Sequence, residues 1–183
     1  MTQAPGGISL RVAGMDDIPA IVALQARSWR TSYRGIVDDA FLDAIPVQQW
    51  IESWRAHLFA AGTECIVAED EGRIIGFASA GRPDGGGDAG PDIGELHTIY
   101  IDASHQGRGV GPVLIERALR YLRELGAQTA VLWVLEQNSR GRRFYENGGW
   151  KADGARASDC WGATSVPRLR YRVDLRPGHS ATD

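Results

Sequence analysis

Apolar residues recur along the chain at two spacings, and the changes from one to the other mark off its elements. Ile8–Val12 alternates and predicts a first strand. Asp16 and Asp17 then offer helix caps, and Pro19 falls in a first turn where its missing N–H costs little. Ile18, Ile21, Val22 and Trp29 follow at helical spacing, which carries a helix to about Ser32. Phe41, Leu42, Ile45, Trp50, Ile51 and Trp54 predict a second helix, interrupted near Pro46. Residues 65–69 and 74–80 flank a turn at 70–73 and read as a β-hairpin, and 96–101 reads as another strand. Over 112–125, Val113, Leu114, Ala118, Tyr121, Leu122 and Leu125 form one face, with Glu116, Arg117, Arg120, Arg123 and Glu124 turned outward. Gly126 stops that helix. The unbroken apolar run 130–135 predicts a strand covered on both faces. A short helix over 140–146 ends at Gly148 and Gly149, and 169–175 alternates as a last strand. This order predicts an α+β fold: a mixed, mostly antiparallel sheet with flanking helices and a parallel strand pair around the 112–125 crossover.

Composition narrows the function classes. A chain of 183 residues fits one domain over 1–183, with an ordered core over about 8–176. Residues 2–7 and 176–183 read as loose ends, and the Gly-, Asp- and Pro-rich stretch 82–94 as a mobile surface loop. The formal net charge of -3 argues against broad nucleic-acid binding. Cys65 and Cys160 are too few for a disulfide framework, and His57, His97, His105 and His179 have no paired spacing, so no metal is expected. The start lacks a secretory pattern and the longest apolar run is too short to span a bilayer. The expectation is a cytoplasmic protein that engages no membrane.

The candidate chemistry sits where the 96–101 strand runs into His105-Gln-Gly-Arg-Gly-Val-Gly-Pro112 and directly into a helix. Glycines let a backbone approach a phosphate, and a helix N-terminus presents unbonded N–H groups to an anion. Arg108 adds a cation, and His105 is expected to be exposed. The spacing is not a dinucleotide fingerprint, because position 112 is Pro. It is not a P-loop, because no Lys-Ser/Thr pair closes it.

The spacing Gln106-x-x-Gly109-x-Gly111 instead resembles the signature of the GNAT superfamily of acetyl-CoA-dependent N-acetyltransferases. A second segment, Asn138-Ser-Arg-Gly-Arg-Arg-Phe-Tyr145-Glu-Asn-Gly-Gly149-Trp150, resembles the family's Asn-x-x-Ala-x-x-Leu/Phe-Tyr-x-x-x-Gly-Phe motif. Gly141 stands in the Ala position and Trp150 in the Phe position. The resemblance implies acetyl-CoA as co-substrate, with its pyrophosphate on Gln106, Gly107, Arg108, Gly109, Val110 and Gly111. It implies a central strand pair that splays, and a pantetheine arm against the backbone of Ile99, Tyr100 and Ile101. Asn138 would orient the cofactor or Tyr145, besides capping its helix. Tyr145 would protonate the departing thiolate.

An alkylamine acceptor arrives protonated, with a pKa near ~10.4, so a base is needed. Glu95 lies at the family's spacing from Gln106. Strand alternation puts it on one face with His97 if no bulge intervenes. Glu95, His97 or a water chain remain alternatives for the base. Trp29 and Tyr33 are expected at the acceptor site, with Asp38, Asp39 and Asp43 supplying negative potential. Cys65, in a buried strand, and Cys160, in a loop, have no nucleophilic context, so direct transfer is expected. The acceptor is open between a small-molecule amine and a peptide amine, and the assembly between monomer and homodimer. A non-catalytic acyl-CoA sensor or interaction module of the same fold is the rival class.

Overall fold

In a computed structural model the described residues are 7–58, 60–83 and 90–176. The ends expected to be loose at 2–6 and 177–183, and the glycine-rich stretch 84–89, lie outside them.

Seven strands make one sheet: β1 (Ile8–Val12), β2 (Thr63–Asp70), β3 (Arg73–Gly81), β4 (Ile93–Ile101), β5 (Thr129–Leu135), β6 (Lys151–Trp161) and β7 (Thr164–Asp174). Their order is β1-β2-β3-β4-β5-β7-β6. Every neighbouring pair is antiparallel except β4 and β5, which the helix α4 (Val110–Glu124) connects as a parallel crossover. The helices α1 (Ile18–Ser32), α2 (Asp39–Asp43) and α3 (Val47–Leu58) pack on one face. On the other face lie α4 and α5 (Ser139–Asn147).

Alternation along the inner strands feeds both faces. In β2, Cys65 and Val67 join Ile21, Leu24, Trp54 and Phe77 on the α1 side. Ile66 and Ala68 turn to the α4 side, where Val110, Leu114, Ala118 and Leu122 cover Ala78, Ala80, Ala130 and Leu132. This is the pattern of a sheet buried on both faces.

Several boundaries differ from expectation, and β4 begins at Ile93, so the end of the stretch 82–94 is strand and not surface loop. α4 begins at Val110, so Pro112 is its third residue, within the first turn where backbone N–H groups have no intrahelical partner. β7 begins at Thr164, five residues before the predicted strand, because Pro167 and the polar residues around it mask the first half. Cys160 lies in β6, not in a loop.

Candidate active site

β4 and β5 pair only at Ile93↔Thr129, Gly94↔Ala130 and Glu95↔Val131. Beyond that point each strand keeps its outer neighbour while the shared edge is unpaired. Backbone N–H and C=O groups on both margins therefore turn toward a gap, and such groups need partners. The gap opens into a cavity of about 990 Å³ lined by β4, β5, the loop after β4, α1, α5 and the β6–β7 pair. That volume suits a large organic ligand.

The loop after β4 forms the outer end of the cavity. Asp102 holds the Ser104 N–H at 3.1 Å and starts a single helical turn. The Gln106 side-chain amide donates to the Ile101 carbonyl at 3.1 Å, which fastens the loop to the strand end. Gly109 has φ 82 and is the N-cap of α4 without any side-chain cap. A residue with a Cβ is strained there, and the first N–H groups of α4 have no side-chain acceptor at the cap. Gly111 serves packing: a Cβ on it would come 2.8 Å from the Phe144 ring, so the glycine lets α5 close on α4. Gln106, Gly107, Gly109 and Gly111 line the cavity, but Arg108 and Val110 do not. Val110 buries its side chain in the core. Arg140, from α5, does line the cavity, and the sequence reading missed that residue. His105, expected to be exposed, has a side chain only 15% exposed and faces Asp70 at 3.3 Å.

Asn138 caps α5 by accepting the Gly141 N–H at 3.0 Å, and it also lines the cavity. Tyr145, two turns along the same helix, also lines it, with Phe144 and Trp150 beside its ring. Burial, with a smaller contribution from nearby Tyr100, pushes its phenol well above the ordinary value of 10.0.

A bulge does interrupt β4. Ser79 opposes Thr98 and Ala80 opposes Leu96, so His97 is the extra residue. The condition attached to the alternation argument fails, yet the two side chains still meet. His97 Nδ1 lies 3.8 Å from Glu95 Oε1, with the side chains 8% and 14% exposed. The bulge re-aims the strand, so Tyr100 follows His97 onto the α1 side while Ile99 and Ile101 face α4. The Tyr100 side chain is thus on the acceptor side, and only its backbone borders the gap. Its hydroxyl accepts the Trp29 indole N–H at 2.6 Å, with the polar side chains of Tyr33, Thr98 and Gln25 nearby. Burial raises the phenols of both Tyr100 and Tyr33.

Trp29 is 7% exposed and stands edge-on to Tyr33, Trp50 and Trp161. Tyr33 ends α1, and both residues line the cavity. The acids expected beside them are engaged elsewhere. Asp38 caps α2, and Asp39 and Asp43 pair with Arg34. The acid on the acceptor wall is Asp159, joined there by Trp133, Trp161 and Arg168. Among the described residues no group of His, Cys, Asp and Glu could hold a metal, and no helix is long and apolar enough to cross a membrane.

A parted parallel strand pair over a glycine loop and an uncapped helix N-terminus offers open backbone edges and an anion site to one extended ligand. The acetyltransferase (GNAT) family model matches residues 22–150. The chain is 32% identical to a probable N-acetyltransferase of Mycobacterium tuberculosis, over 92% of this chain and 95% of that one. Its fold is that of the PaiA N-acetyltransferase of Thermoplasma acidophilum in complex with coenzyme A: TM-score 0.75, 18% identity, 91% of this chain and 98% of that one. YncA of Salmonella typhimurium, solved with acetyl-CoA, gives a TM-score of 0.71 at 19% identity, over 97% of this chain and 99% of that one. The chain belongs to the GNAT acetyltransferase family and is an acyltransferase.

Proposed function

We propose that the protein moves an acetyl group from acetyl-CoA directly to an amine, a small molecule or a peptide amine, in the cytoplasm, and that 8–176 act as one catalytic domain. The parting of β4 from β5 after Glu95, above the uncapped start of α4, carries this reading. In it, the N–H groups of the 106–111 loop and α4 hold the pyrophosphate, with Arg140 as the nearby cation. The open edge of β4 near Ile99 and Ile101 pairs with the amides of the pantetheine arm. Acetyl-CoA supplies an activated acyl group at the inner end of the gap.

There the chain's own groups divide the proton work. As the acceptor nitrogen bonds to the acyl carbon and the carbon–sulfur bond breaks, the amine proton leaves to Glu95, directly, through His97 or through a water. The Tyr145 phenol gives its proton to the departing sulfur. Burial keeps that phenol protonated at working pH. The same dry surroundings raise the proton affinity of the departing thiolate, so the donor and acceptor remain matched. Covalent catalysis finds no support. Burial pushes the Cys65 thiol up to about 12, which leaves it without thiolate character. Free-thiol release with a panel of amines tests the proposal. Tyr145→Phe should slow turnover by ~10- to 1,000-fold with acetyl-CoA affinity little changed. A Phe variant at full speed would remove Tyr145 from the chemistry. Acetyl-CoA binding without turnover on any amine would favour the sensor reading.

A further inference from the structure

The acceptor wall, expected to be acidic, also carries a cation. Leu135 opposes Arg168, Trp133 opposes Arg170 and Val131 opposes Arg172 across β5 and β7. Directly opposed residues share a face, and Leu135 faces α1 with Trp29 and Val166. β7 therefore presents three guanidiniums in a row on the acceptor side, answered by two carboxylates. Asp153 holds Arg170 at 2.7 Å, and Asp159 meets Arg168 Nη2 at 3.1 Å. Of the three arginines, Arg168 lines the cavity.

Arg168 is held by stacking as well as by charge. Its guanidinium lies 5.0 Å over the Trp133 ring, which fixes the plane of the fork. Its Nε–H is buried with no acceptor among the described residues. That Nε–H is sealed from the cavity, but the side chain is 32% exposed, and a guanidinium with five N–H donors is not exhausted by one ion pair, so its Nη edge is suited to a second planar oxyanion. The distance from the reacting end is also legible. Glu95 opposes Val131 and Arg168 opposes Leu135, four residues along β5, or ~13 Å along the strand at ~3.3 Å per residue. An α-amino acid is too short to present its nitrogen at one end and its carboxylate at the other.

We propose that the acceptor is an extended amine carrying a carboxylate several bonds from the reacting nitrogen, and that Arg168 grips that carboxylate. The inference rests on the transferase reading above. An ω-amino acid and the C-terminus of a short peptide offer this same chemistry.

Calorimetry with acetyl-CoA comes first, because failure to bind there sinks the transferase reading rather than this one. CoA-saturated protein is then titrated by thermal shift, and acetyl-CoA-loaded protein is assayed for thiol release. The probes are 6-aminohexanoate and diglycine, with hexylamine and 1,6-diaminohexane as matched amines lacking the carboxylate. The carboxylated compounds should win by at least ~10-fold in kcat/KM, the order expected of a charged hydrogen bond. Arg168→Gln should erase that preference while acetyl-CoA affinity stays within a few-fold, and Arg168→Lys should keep part of it. The ratio of 6-aminohexanoate to diglycine tells the two sources apart. A preference for hexylamine or the diamine, a carboxylate preference intact in Arg168→Gln, or no response to either carboxylated compound would overturn the proposal.

Discussion

Replacing Trp29 by alanine removes the side chain that joins α1 to the acceptor wall, and the structure sets the expected cost. The residue is 7% exposed. A buried indole covers ~200 Å², which at ~25 cal/mol/Å² gives an upper bound of ~5 kcal/mol. Edge-on contacts at 5.1 Å to Tyr33, 5.1 Å to Trp50 and 4.9 Å to Trp161 would be lost with it. The 2.6 Å hydrogen bond to Tyr100 would go too, but the Tyr100 hydroxyl would then face water entering from the cleft, so no orphan is left. The void would open into the existing cleft, where water can enter, which lowers the cavity penalty. These considerations place Trp29→Ala at about 3 kcal/mol, the low end of the usual range for a buried Trp. Tyr33→Ala, at the end of α1, should cost less stability and instead raise KM for the amine, with acetyl-CoA affinity within a few-fold. Urea unfolding gives the stabilities and steady-state kinetics gives the split. A Trp29→Ala variant within ~1 kcal/mol of wild type at an unchanged denaturant slope would refute the packing argument. Equal losses for both substrates in Tyr33→Ala would remove Tyr33 from the acceptor site.

Two further outcomes are expected. Glu95→Gln should lower kcat/KM and remove or move the acidic limb of the pH–rate profile; an unaltered profile there, with a displaced one in His97→Gln, would hand the role to His97. Burial raises the Cys65 thiol from 9.0 to about 12, so above pH 9 the unfolded chain loses a proton that the folded chain keeps, and stability falls as pH rises through that window. The contribution is up to ~1.4 kcal/mol per pH unit. Cys65→Ala should make the decline in urea midpoint between pH 9 and 10 shallower than in wild type, the tyrosines contributing equally to both proteins, and equal slopes would contradict it.

The elements with strong periodicity, α1, α4 and β5, were legible because one amphipathic stripe or one apolar run sufficed to define each. β6 was not, because its residues alternate between exposed and half-exposed with no apolar face, and Gly154 has φ 89. An outer strand of this kind is specified by its partner β7 more than by its own side chains. The same cause hid the acceptor wall. Asp159 and Trp161 come from β6, Arg168 from β7 and Trp133 from β5, and only strand register assembles them. The anion loop was legible because its residues are contiguous. Glu95 and His97 were placed together by alternation, but their geometry depends on a bulge at His97 that the sequence does not mark. Asp38, Asp39 and Asp43 looked like acceptor acids only because they are near Tyr33 in sequence; capping and Arg34 account for all three.

Calorimetric titration of acetyl-CoA into wild type and into Gly109→Glu tests the central claim most directly. Gly109 caps α4 at φ 82, so glutamate there adds backbone strain, bulk and a negative charge against the pyrophosphate. Wild type should bind on the order of micromolar, or ~8 kcal/mol. The variant should show no heat of binding while melting cooperatively as a folded protein. Undiminished binding by a folded Gly109→Glu would contradict the account.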